Sequence, residues 1–74
     1  MQTVPDFIAA LGGIDAVARA LGRNRTSVFR WCRNGVPRAR AHELVVLAAQ
    51  LGRNGFSAAT ILAAPGVPNW SARG

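Results

Sequence analysis

Apolar residues recur along this chain at spacings of three and four, and no stretch shows sustained period-two alternation. That periodicity predicts short helices and no strand. Phe7, Ile8 and Leu11 give the first helix its apolar face, over residues 5–11. Thr3 is its expected N-cap, with Pro5 in the first turn and Asp6 complementing the helix dipole; Gly12 and Gly13 end it. Ile14, Val17, Ala18 and Leu21 share one face of a second helix, residues 14–21, which Gly22 stops. Asn24 caps a third, residues 25–33, whose buried side is Val28, Trp31 and Cys32. A fourth spans residues 37–51, with Ala41, Leu44, Val45, Ala48 and Leu51 as its core stripe. Ser57 caps a last one, residues 58–63. Residues 52–55 read as a loop. Beyond Pro65 the periodicity stops, so residues 65–74 are expected to form an irregular tail behind a single domain of residues 1–64.

The chain has 74 residues, of which half are apolar, and its one cysteine excludes a disulfide. A domain this short buries only about 60% of its unfolded surface, so a second subunit would add useful burial. One Cys and one His cannot build a zinc site. Asp6, Asp15 and Glu43 are too scattered for acid–base chemistry, and no cofactor, small-molecule ligand or enzymatic activity is expected. His42 reads as plain surface, and Cys32 as a buried structural thiol. No apolar run is long enough to span a bilayer. The first residues carry no basic segment followed by an apolar run, so a cytoplasmic protein is expected.

Charge sharpens the picture. The net charge is +6 with no lysine, and seven of the nine arginines fall between residues 19 and 40, a stretch without an acidic residue. A polyanion suits that surface. The arginines lie around a short apolar helix, a glycine turn and a second short helix with an Arg- and Thr-rich outer face. In sequence this is a helix-turn-helix, spanning residues 14–34. Ala18 provides the small residue where two steeply crossing helices touch, Gly22 makes the turn, and Val28 fills the gap between the helices beside Val17 and Leu21.

The run Ala-Arg-Ala-Leu-Gly at 18–22, with Ser-Val-Phe-Arg-Trp at 27–31 and Asn-Gly-Val-Pro at 34–37, resembles the Cro/CI-type helix-turn-helix repressors of phages and bacteria. The resemblance implies a compact, all-α, five-helix lambda-repressor-like domain whose third helix reads double-stranded DNA. It departs in one place: the residue after the turn glycine is usually apolar in that family and here is Arg23. Geometry and resemblance together make Arg25, Thr26, Phe29 and Arg30 the expected base-reading residues, with Arg25 in the first turn able to take guanine O6 and N7 together. For Phe29 two roles stand side by side, contact with a thymine methyl and packing against the core. Arg19, Arg23, Ser27, Arg33, Asn34, Arg38 and Arg40 are the expected phosphate contacts. Arg38 and Arg40 open the fourth helix, where a phosphate would meet both guanidinium groups and free backbone amides.

One recognition helix reads too few base pairs for a specific site, so a homodimer on a two-fold symmetric operator is expected. Val46, Leu47, Ile61, Leu62 and Trp70 are the expected dimer contacts. The sequence thus leads to a transcriptional regulator, most simply a nucleoid-associated repressor. Two other functions share the same features: an excisionase-like adaptor that recruits a second protein to DNA, and an antitoxin-like module that binds a protein partner.

Overall fold

The computed structural model describes residues 2–53 and 55–71; five α-helices form among them and no strand. They are α1 (Val4–Ala10), α2 (Ile14–Leu21), α3 (Arg25–Asn34), α4 (Arg38–Gln50) and α5 (Ala58–Ala63). No helix is long and apolar enough to cross a membrane. The helices lie within two residues of where the apolar spacing puts them, because their ends carry chemistry readable in sequence. At the start of α1 the Thr3 amide and hydroxyl both donate to Asp6 Oδ2, at 2.9 and 3.0 Å. That amide bond holds the Asp6 carboxyl below the usual carboxylate range. At the start of α5, Ser57 Oγ accepts the Thr60 amide at 3.1 Å. Gly22 closes α2 in the left-handed conformation (φ 65°, ψ 34°), and the Arg23 amide reaches back to the Ala18 carbonyl at 2.9 Å. An L-residue with a side chain pays a steric cost in that conformation; glycine does not.

The inward faces meet in one core. α2 packs on α3 and α4, α1 on α2 and α3, and α5 on α4. Ile8, Val17, Val28, Cys32, Leu44 and Ile61 are its fully buried centre, one or more from every helix. No buried residue is polar or charged among those described, so hydrophobic burial, at roughly 25 cal/mol per Å², carries the fold. Phe56, in the loop before α5, meets Phe7 edge-on, with ring centroids 5.1 Å apart, and so ties that loop to α1.

Three apolar positions differ from expectation. Leu47 and Ile61, expected at a dimer contact, are 6% and 1% exposed and belong to this chain's own core. Leu51, expected in the core stripe of α4, is 51% exposed at the C-terminal cap of that helix. α4 is apolar on more than one flank, and the side that α5 covers decides which flank is buried. α5 has six residues and one buried anchor, Ile61, which therefore turns inward. Of the other expected contacts, Val46 and Leu62 are 42% and 40% exposed. Trp70 is half-buried against the core.

The segment after α5 is irregular but anchored. The Val4 amide donates to the Pro65 carbonyl at 3.0 Å, and the Val67 amide to the Cys32 carbonyl at 2.8 Å. A Cβ built on Gly66 would sit 2.5 Å from the Arg33 carbonyl oxygen and 2.6 Å from the Gly35 nitrogen, so the backbone passes closer to the end of α3 than any side chain permits. Met1, Asn54 and residues 72–74, which include parts of the expected loop and tail, lie outside the described residues.

Candidate nucleic-acid interface

α3 is a ten-residue helix with a clear division of faces. Val28, Trp31 and Cys32 point into the core, as their spacing predicts. Burial pushes the Cys32 thiol up to about 11, so it is protonated at neutral pH and sits as a small apolar group. Arg25, Thr26, Arg30, Arg33 and Asn34 are exposed; Ser27 and Phe29 are half-buried. The helix has no acidic residue, so its outer face is cationic from end to end. Asn24 stands at the N-cap position, but its side chain makes no capping hydrogen bond.

The arginines fall into three electrostatic groups. Arg19, Arg30 and Arg38 are exposed and have no ion pair among the described residues. Arg25 donates through Nε to Asp15 Oδ1 at 2.9 Å; both side chains are at least 65% exposed. A pair so exposed is worth about 0–1 kcal/mol, so an anionic ligand can displace the carboxylate. Arg23 and Arg40 converge on Glu43, whose carboxylate accepts from Arg40 Nη1 at 2.8 Å and lies 3.7 Å from Arg23. The Arg40 hydrogen bond, with the Arg23 charge behind it, holds the Glu43 carboxyl below the usual range. These two expected phosphate contacts are therefore partly neutralised within the chain. The pair also accounts for the charged residue after the turn glycine: Arg23 bonds to α4 electrostatically where an apolar side chain would pack.

Between α3 and the start of α4 lies a hollow of about 300 Å³ lined by Ser27, Arg30, Trp31, Asn34, Gly35 and Pro37. Three expected phosphate or base contacts (Ser27, Arg30 and Asn34) meet here, next to the N-terminus of α4 where Arg38 stands. Free amides at that terminus and the helix dipole both favour an anion.

The opposite flank of α3 holds an arrangement that local spacing does not reveal. The Phe29 and Trp70 rings lie 5.4 Å apart at 51°. The Arg33 guanidinium sits 4.8 Å over the Phe29 ring centroid and donates through Nε to the Trp70 carbonyl at 3.0 Å. Phe29 thus packs against the core and is covered by Trp70. Of the two roles open to it, packing is the one its contacts display. Only an unexplained tryptophan in a polar tail hinted at this cluster from the sequence. Among the described residues no three of His, Cys, Asp or Glu gather as a metal site would require. Comparison of the chain with protein-family models, with curated proteins and with solved structures finds no match in any of the three.

Proposed function

We propose that this chain is a sequence-specific, double-stranded-DNA-binding transcriptional regulator of the Cro/CI helix-turn-helix type, acting as a homodimeric repressor. One observation carries the proposal. α3 is braced from behind by α2 through Val17, Ala18 and Val28, and turns outward an unbroken cationic face of Arg25, Thr26, Arg30 and Arg33. A braced helix of that width and charge suits the major groove, where guanidinium groups pair with guanine and phosphate. Thr26, Arg25 and Arg30 are the base readers in this proposal. Ser27, Asn34 and Arg38 hold a phosphate at the hollow beside α4.

A dimer follows from dimensions. Half-sites one helical turn apart are separated by about 34 Å, and the longest extent of the Cα trace is 28 Å. One copy cannot reach both. Val46 and Leu62, exposed and away from α3, are the proposed contact. Selection of bound sequences from a random DNA pool tests the function: a two-fold symmetric consensus is expected. A pool that fails to enrich any sequence overturns the regulator, and a direct-repeat consensus overturns the two-fold symmetry. Sedimentation on the selected site should give two chains per duplex.

A further inference from the structure

Residues 66–70 run along the flank of α3 on three independent attachments. Gly66 lies against the Arg33 and Gly35 backbone at a distance that admits no Cβ. The Val67 amide is bonded to the Cys32 carbonyl, and the Trp70 amide turns back to the Val67 carbonyl at 2.9 Å. Trp70 then meets Phe29 with its ring and Arg33 with its carbonyl. The result is a three-part stack in which Arg33 is held from two sides. Its Nε is bonded to Trp70, its guanidinium plane lies over Phe29, and both terminal nitrogens are without a partner among the described residues. A free arginine side chain has about 2 kcal/mol of rotamer entropy to lose when it binds. Here much of that loss precedes binding. Arg33 is on the exposed side of α3, one turn beyond Arg30 and two beyond Thr26, so the fixed guanidinium belongs to the same cationic face.

We propose that the segment 66–70 is part of the DNA interface, with Trp70 as a positioning residue that presets Arg33 to grip a backbone phosphate. This rests on the DNA-binding function proposed above. The stack gives the tail a task that neither the core nor a dimer contact explains: Phe29 is covered on the flank of the reading helix, not at the far side of the domain.

A double-mutant cycle on the selected DNA site tests it, with folding of each variant checked by circular dichroism. Trp70→Ala should weaken binding roughly two- to ten-fold, the scale of immobilising one flexible side chain, and leave the salt slope unchanged, since Arg33 still reaches its phosphate. Arg33→Ala should lower the slope by about one. In the Arg33→Ala background Trp70→Ala should cost nothing further. Trp70→Phe, which keeps a ring on Phe29, should restore most of the affinity. If Trp70→Ala unfolds the chain, Trp70→Leu, which covers the core without an aromatic ring, takes its place in the cycle. Additive losses overturn the positioning role. Tighter binding by the Trp70 variant overturns it in favour of a tail that blocks the helix. Absence of any DNA binding by the wild-type chain overturns the DNA-binding function as well, whereas wild-type binding with additive losses overturns this inference alone.

Discussion

The Arg23 guanidinium lies 3.7 Å from the Glu43 carboxylate, which joins the turn after α2 to the second turn of α4. Arg40 reaches the same carboxylate at 2.8 Å. One acidic residue thus holds two of the arginines that a polyanion would otherwise meet, so Glu43 sets how much charge the interface offers. Glu43→Gln is expected to free both. DNA affinity should rise and the salt slope should steepen by up to about two, one for each released phosphate contact. The melting temperature should change little, because partly exposed pairs contribute modestly. A titration series across salt concentrations reads the result; an unchanged slope would show that neither arginine faces DNA.

Arg25 and Arg38 should separate base reading from phosphate holding. Arg25→Ala is expected to cost about 1–3 kcal/mol on the selected site and to relax preference at one base position. Some of the loss is offset because the Arg25–Asp15 pair no longer has to be broken. Arg38→Ala should weaken binding to all sequences alike and lower the salt slope by about one. Competition binding with specific and random duplexes checks both. Equal losses for Arg25→Ala on the two duplexes would make it a phosphate contact.

Gly66→Ala probes the docking of the tail. The new Cβ would fall 2.5 Å from the Arg33 carbonyl oxygen, and its neighbours are backbone atoms that cannot swing aside. Overpacking of this kind typically costs about 1–3 kcal/mol. Urea unfolding should show a lower midpoint, and the Val67–Cys32 hydrogen bond should lose hydrogen-exchange protection. A midpoint equal to that of the wild type would mean that the segment is not held against α3 in solution.

The pH dependence of stability should be flat from about pH 5 to 9 and fall on both sides. On the alkaline side the cause is Cys32. Its thiol is raised in the folded chain from its ordinary 9.0 to about 11. Above pH 9 the unfolded chain loses this proton first, so unfolding is favoured progressively until the folded thiol titrates. On the acid side Asp6 and Glu43 are both lowered by hydrogen bonds. Their contribution is present above their ordinary values of 3.8 and 4.5 and is lost as pH falls through the lower folded ones. Denaturant midpoints measured across pH test this. Cys32→Ala, which removes the thiol, should abolish the alkaline shoulder that begins near pH 9.

Helix order, helix ends and the inward face of α3 were legible in the sequence, because each depends on neighbours within about one turn. The three-and-four spacing of Ile14, Val17, Ala18 and Leu21, the left-handed glycine at 22 and the caps at Thr3 and Ser57 are local devices, and they act in the fold where the chain carries them. The crowding of arginines between residues 19 and 40 was equally plain. Tertiary structure alone decided the rest. α4 is apolar on several flanks, and only the arrival of α5 selects Leu47 for the core and leaves Leu51 outside. Arg23 and Glu43 are twenty residues apart, and Arg33 and Trp70 thirty-seven. Periodicity along one helix contains nothing about which distant segment will cover it. The partner of Phe29 therefore depended on where the tail returns, and so did the difference between an arginine free in solvent and one already held in place.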